Sequence, residues 1–346
     1  MSPANAARPA APRAGVAIPG FRPYVGQHCE TVATGSLLGT IGVQLSEPML
    51  FGLGQGLGFI FINLSSLPLP FVGGRVKPFA LTQTLCANLG LECTALETTS
   101  KAKAWSTLES ALRDGRPVGL QLDCFHLEYF TKPVHFAGHF VAAYGCDERD
   151  VLLVDTQQQG STQRASRRGV EAARFAKGPM AAKARSWTIA APKRAPNLES
   201  TLRQALPRAL RANAADYLSP PFKGASFHGI RKLADSLPDW LSIAKDPAAD
   251  LALSAMLMEK AGTGGALFRN FFRDFLAEAR DHLGAKPALQ RAHAAFSESA
   301  AEWTEVAALI GAAGRRQDAA RLVDAAARCR RIADLEVDGM RALATL

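Results

Sequence analysis

One cysteine, one histidine and one aspartate in this 346-residue chain have the types and the order of a nucleophile, a base and an orienting acid. Cys29 follows Gly26-Gln27-His28 and precedes apolar residues at Val32, Ala33, Leu37, Leu38 and Ile41, which recur with helical spacing. A thiol at a helix start meets the positive end of the helix dipole, which favours the thiolate. Downstream, residues 140–144 and 151–154 read as two strands joined by a turn over 145–150. With that turn centred near Asp147, His139 at the start of the first strand lies beside Asp155 at the end of the second. Cross-strand neighbours so placed can hydrogen-bond and fix the imidazole tautomer. Thiol, imidazole and carboxylate in those roles form a generalised catalytic triad. A cysteine alone is as often a small buried apolar residue, so the weight rests on the three together.

Other histidines raise the question of a metal. His135 and His139 are four apart, but they lead into a strand, where residues so spaced share a face yet stand too far apart to hold one ion. His28 sits beside Cys29, but the chain has no CxxC and no HExxH. The expectation is no metal and no cofactor.

The elements that must position these side chains follow from periodicity. Residues 82–91 and 105–113 read as helices, the second stopped by Asp114-Gly115, and 118–122 begins the strands that lead to His139. Residues 51–59 alternate Gly with bulky side chains. Lacking a preceding strand and a Gly-Lys-Ser/Thr ending, they read as a close-packed, flexible loop rather than a phosphate loop. Helices first and strands later give an α+β domain over 21–191. Residues 1–20 read as a disordered tail and 192–197 as a linker. From 198 to 346 the chain is rich in Ala, Leu and Arg with few β-branched residues, which predicts an all-helical domain. There Gly262-Thr263-Gly264-Gly265 opens a helix over 266–283, apolar on one side and lined by Arg269, Arg273 and Arg280 on the other. Free amides at such an opening can hold an anion, for example a phosphopantetheine phosphate.

Composition bounds the rest. At 48% hydrophobic and 21% charged the chain is that of a globular protein. It has no apolar run of the roughly 18 residues that a membrane helix needs. The first twenty residues lack the apolar stretch of a signal peptide, so a cytoplasmic protein is expected. Cysteines 29, 86, 93, 124, 146 and 329 lack disulfide-scaffold spacing and read as free thiols. The net charge of +9 is uneven: residues 157–212 hold twelve Lys or Arg against Glu171 and Glu199. Arg164, Arg167 and Arg168 head that segment and suggest a docking surface for an acidic partner near the triad. Nucleic acid is not expected, since the segment has no zinc-finger or RNA-binding signature and only Phe175 and Trp187 as aromatics.

Taken together, these residues resemble the butirosin-biosynthesis H family. The likeness lies in Gly26-Gln27-His28-Cys29, in Ser46-Glu47-Pro48-Met49-Leu50-Phe51-Gly52-Leu53-Gly54, and in His135-Phe136-Ala137-Gly138-His139 leading to Val154-Asp155. The second half is similar to the helical domain that commonly follows, through Glu259-Lys260-Ala261-Gly262-Thr263-Gly264-Gly265 and Phe268-Arg269. The resemblance implies a papain-like cysteine fold used for acyl transfer, with an acyl carrier protein thioester as donor and a small-molecule amine or hydroxyl as acceptor. Carried over, Cys29 is the nucleophile, His139 the base and Asp155 the orienter. Papain-like enzymes usually place an oxyanion-hole glutamine where this chain has Pro23, which leaves Gln27 as the substitute. The same residues serve three alternatives: a cyclase releasing a carrier-bound chain by intramolecular capture, a thioesterase, amidase or peptidase, and a carrier-binding module without chemistry.

Overall fold

Strands buried on both faces at the centre build the first half of the chain around one main sheet, and long helices build the second. The computed structural model describes residues 15–64, 67–132, 134–192 and 197–346. The chain starts with β1 (Val16–Ala17), α1 (Cys29–Thr40), α2 (Glu47–Leu53), β2 (Leu57–Ile62) and β3 (Phe71–Arg75). Next come α3 (Ala80–Leu89), β4 (Glu92–Leu96), α4 (Lys101–Arg113) and β5 (Val118–Leu122). Then follow β6 (His139–Cys146), β7 (Asp150–Val154), β8 (Thr162–Ser166), α5 (Arg167–Phe175) and β9 (Ser186–Ala190). The helical half comprises α6 (Leu198–Leu218), α7 (Ser226–Ser236), α8 (Trp240–Ile243), α9 (Pro247–Lys260), α10 (Arg269–Leu283), α11 (Pro287–Arg316) and α12 (Ala319–Leu343).

The sheet is antiparallel in the order β4-β9-β5-β6-β7-β8, with β1 on β6, while β2 and β3 form a separate hairpin. Alternation along β6 divides two cores. Phe140 and Ala142 pack with Val32, Ala33 and Leu37 of α1, whereas Val141 and Ala143 pack with Leu108 of α4 and Val170 of α5. Burial of Val32, Leu37 and Leu38 contributes about 1.5–3 kcal/mol each and holds α1 against the sheet. The expected tail gives way at Val16 and Ala17, whose backbones pair with Cys146 and Gly145. Residues 1–14 of that tail and most of the linker (193–196) lie outside the described residues.

Two other expectations change. Much of segment 51–59 is regular structure: Ser46 caps α2 by accepting the Met49 N–H at 3.1 Å, and β2 follows directly. Its glycines are packed, not flexible, since a Cβ on Gly52 would stand 2.0 Å from the Phe275 ring. The helix expected over 266–283 begins only at Arg269, because Ala266, Leu267 and Phe268 have φ of 49°, 49° and 74°. Such left-handed residues cost about 1–3 kcal/mol each unless packing over-determines them, and all three are buried.

The two halves share cores. Leu202, Leu206 and Leu210 of α6 and Phe271, Phe272 and Phe275 of α10 join the α1–α3 core. Phe59 and Leu69, from the β2–β3 segment, join the helical core around Trp303. Arg269, expected at the surface, is wholly buried and forks onto Glu336, with Nε and Nη2 each 2.8 Å from a carboxylate oxygen. Its Nη1 donates to the carbonyls of Gly58, Gly74 and Leu267 at 2.9–3.3 Å. Glu336 also accepts from Ser299, Trp303 and Tyr217. Burial disfavours both charges, yet the pairing prevails, holding Glu336 below and Arg269 above their ordinary pKa values.

Removing one member of such a pair strands the other charge. Glu336→Gln should therefore cost about 3–5 kcal/mol of stability in urea unfolding. The double change Arg269→Met with Glu336→Leu should recover part of that loss, but not the hydrogen bonds to Gly58 and Gly74. A single variant as stable as the parent would remove this pair from the stabilising interactions.

Candidate active site

Cys29 is the first residue of α1, half-buried, and its N–H has no carbonyl one turn back to bond within the helix. No side chain of the N-cap His28 closes this end; Glu47 from α2 does. Its carboxylate accepts the N–H groups of Gln27 (2.9 and 3.0 Å) and His28 (2.8 Å) and the Thr31 hydroxyl (2.7 Å). Burial pushes the Glu47 pKa up, and the hydrogen bonds offset this only in part. A carboxylate here competes with a Cys29 thiolate for the positive end of the helix, an opposition that the sequence expectation did not contain. Glu30, the next residue, fastens α1 to its neighbours by accepting from Arg75 (2.7 Å), Phe79 (3.2 Å) and Thr82 (3.1 Å).

His139 and Asp155 meet as expected. His139 Nε2 lies 2.8 Å from Asp155 Oδ2, the Tyr129 hydroxyl donates to the same oxygen at 2.7 Å, and the Thr156 N–H donates to Oδ1 at 2.6 Å. Burial works against the charged imidazole, but Asp155 and the Cys124 thiol outweigh it and hold the His139 pKa well above its ordinary value. Burial likewise opposes ionisation of Asp155, and His139, Tyr129 and Thr156 hold it below the usual carboxylate value.

The Cys29 turn comes to this pair at the end of the sheet. The Gly26 carbonyl accepts the Gln157 N–H at 2.8 Å, tying the segment before Cys29 to the segment after Asp155. Burial, Arg75 and His139 together hold His28 well below the ordinary imidazole pKa, so its ring is neutral. It packs edge-on against Phe268 and Phe51 with both ring nitrogens buried and unpartnered. Strand alternation aims His139 to the Val141 face, away from the α1 core. Among the described residues no hydrogen bond joins Cys29 to His139; the thiol against the ring is Cys124. Neither Cys124, Tyr129 nor Glu47 was expected here, because each reaches the site through a contact more than a dozen residues away in sequence.

The C-terminal half closes one side of the site. A cavity of about 270 Å³ is lined by Gln27, Gln157, Gln158, Glu259, Lys260, Gly262 and Gly264. A Cβ on Gly262 would stand 3.2 Å from the Gln27 carbonyl. The loop is less open to anions than its glycines suggest. Glu259 accepts the Ala266 N–H at 3.0 Å, while Thr263 is buried and serves the Gly265 N–H and the Met258 carbonyl.

The basic segment lies elsewhere than expected. Arg164 pairs with Asp150, and Arg167 with Glu109 and the Asp147 carbonyl, at the turn end of the β6–β7 hairpin; Arg168 follows Arg167. His139 and Asp155 are at the opposite end, roughly 17 Å along β7. Much of the local charge is also spent internally: Arg167 stacks on Trp105, Arg174 is buried, and Arg185 pairs with Glu97. Closeness in sequence did not become closeness in space.

A helix opened by a cysteine packs on an antiparallel sheet whose neighbouring strands place His139 at the start of β6 and Asp155 just past the end of β7, an α+β arrangement with a helical C-terminal region. Residues 28–156 match the family described as butirosin biosynthesis protein H, N-terminal, and residues 168–343 match a domain of unknown function (DUF4872). The chain therefore joins a region like the N-terminal part of butirosin biosynthesis protein H to a DUF4872 domain, and the second match, which spans half of the chain, places it in the DUF4872 family. The second match begins before α5 ends and includes β9, which lies between β4 and β5 in the sheet. Among solved structures, the peptidase domain of Streptococcus ComA, a bi-functional ABC transporter involved in a quorum sensing pathway, aligns at 11% identity and a TM-score of 0.31. That alignment covers 49% of this chain and 98% of the other. A search of curated proteins found no match. No helix among the described residues is long and apolar enough to cross a membrane.

The pKa directions give a test of the His139–Asp155 pair. A raised histidine contributes stability in full below its unfolded value near 6.5 and loses it as the pH rises through the folded value. The lowered Asp155 contributes above its unfolded value near 3.8 and loses this as the pH falls through the folded value. Urea midpoints should therefore decline more steeply as the pH rises above about 6.5 in the parent than in His139→Gln. Parallel profiles would mean that the pair is not ionised.

Proposed function

We propose that the protein is a cysteine-dependent acyltransferase that takes an acyl group from an acyl carrier protein thioester and gives it to an amine or hydroxyl of a small molecule. The observation that carries this reading is the hydrogen-bonded His139–Asp155 pair beside a turn that presents Cys29, joined through Gly26 and Gln157. In the first step Cys29 gives its proton to His139, its sulfur bonds to the thioester carbon, the bond to the pantetheine sulfur breaks, and that sulfur leaves with the proton held by His139. In the second the acceptor attacks the acyl-enzyme, His139 takes the acceptor's proton, and Cys29 is released. Asp155 and Tyr129 hold the imidazole, and the Cys29 N–H with the Gln27 side chain supports the oxyanion. His139 has to turn from Cys124 toward Cys29 when substrate is bound, and catalytic hydrogen bonds often form only in that complex.

One observation favours a second reading in which Cys124 is the thiol, since it already lies against His139. Cys124 is 5% exposed, however, whereas Cys29 is more accessible and stands where an amide is free to hold an oxyanion. Water or an internal nucleophile in place of the external acceptor would make the same site a thioesterase or a cyclase.

Intact-mass and peptide mapping after incubation with acyl-carrier thioesters tests the assignment. The adduct should appear on Cys29, vanish in Cys29→Ala, and persist in Cys124→Ala. His139→Ala should reduce turnover about as much as Cys29→Ala, and Asp155→Asn by a smaller factor, about 10²- to 10⁴-fold. An adduct on Cys124 would transfer the role to that residue, and no adduct on either would end the proposal.

A further inference from the structure

The connection from β5 to β6 gathers three side chains that the reaction above does not use. Asp123 follows β5, His126 ends the short turn Cys124–His126, and His135 precedes β6 by four residues. Their potential donor atoms all lie within 4.8 Å of one another. Asp123 is buried and held from several sides. Its N–H donates to the Ala173 carbonyl at 3.0 Å, and its Oδ1 accepts the N–H groups of Phe125 (3.1 Å) and Phe136 (2.9 Å). This leaves Oδ2 aimed at His135 Nδ1, 2.9 Å away. The Phe125 ring stacks on His135 at 4.0 Å and so sets the plane of that imidazole. His126 faces His135 with ring centroids 5.9 Å apart.

We propose that Asp123, His126 and His135 form a site for a divalent transition metal, zinc being the best fit, that clips together the two ends of the β5–β6 connection beside His139. Two imidazoles and one carboxylate suit zinc and its first-row neighbours, whereas magnesium and calcium favour oxygen donors alone. In a tetrahedral site with bonds of about 2.0–2.2 Å the donors lie roughly 3.3 Å apart. Asp123 and His135 already meet that spacing, and His126 needs to approach by only about 1–2 Å. The two amides on Oδ1 act as the outer hydrogen bonds that commonly orient a ligating carboxylate. Water completes the coordination on the exposed side of His135.

The sequence expectation paired His135 with His139 and dismissed the pair. The structure separates them: His139 belongs to Asp155, and His135 to Asp123 and His126. The clipped segment also carries Tyr129, which bonds Asp155, and Phe130, whose ring meets His139 edge-on at 5.4 Å. Metal binding here would hold in place the loop that covers the imidazole, without touching the reacting atoms.

The test uses the full chain, stripped of metal and titrated with zinc chloride by calorimetry, with x-ray absorption to identify the donor atoms. One zinc should bind per chain through nitrogen and oxygen only. His126→Ala and His135→Ala should each weaken binding by at least about tenfold, and Cys29→Ser should leave it unchanged. Zinc should raise the melting temperature of the parent and not of the two histidine variants. Asp123→Asn is a poor first choice, since Asp123 also fastens two backbone amides. Binding that survives both histidine changes, sulfur ligation lost in Cys29→Ser, or no saturable binding up to about 100 μM zinc would each overturn the proposal.

Discussion

The buried fork between Arg269 and Glu336 is the constraint on which the arrangement of the two halves depends. A guanidinium taken out of water without partners costs several kcal/mol. Arg269 finds a partner for each of its three nitrogens by reaching α12 through Glu336, the β2–β3 hairpin through the carbonyls of Gly58 and Gly74, and its own turn through Leu267. An apolar substitute would pack, but it would not specify which carbonyls the hairpin must present. The left-handed turn at residues 266–268 follows from the same demand, because it sets Arg269 at the head of α10 while Leu267 and Phe268 stay buried. Phe268 then packs on His28, so a pair that looks structural reaches the residue beside Cys29.

The site therefore lies at a seam. One wall is the start of α1, another the ends of β6 and β7, and a third the 259–264 loop of the helical half. Its electrostatics are mixed. Glu47 places negative charge at the N-terminus of α1, His28 is neutral through burial, and His139 is drawn toward its charged form by Asp155. Glu47 engages the amides of Gln27 and His28 just ahead of α1 and leaves the Cys29 N–H unengaged. The helical half is thus part of the cavity wall beside Gln27 and Gln157, rather than an appendage.

Shared cores explain why the division of the chain near 192–197 is visible in composition yet weak in space. Prolines and basic residues there mark a change from strands to helices. Even so, β9 is stitched between β4 and β5, α6 and α10 complete the core of α1–α3, and Phe59 crosses into the helical core. Hydrophobic burial is non-directional, so a helix with a broad apolar stripe packs wherever matching surface lies, on either side of a linker.

Local chemistry is what the sequence by itself determined. Apolar spacing after Cys29 was enough to start α1 there, and two short strands read at 140–144 and 151–154 around an Asp147 turn were enough to bring His139 to Asp155, because hairpin geometry follows from a few neighbouring residues. The helical character of residues 198–346 was equally legible. Tertiary structure alone decided which face His139 presents, that Cys124 and Tyr129 surround it, that Glu47 closes α1, that Arg269 is buried, and that Arg164 and Arg167 stand at the far end of the hairpin. These are contacts between residues distant in the chain. They depend on how cores share apolar surface and on where a buried charge can be satisfied, and neither is written in local periodicity.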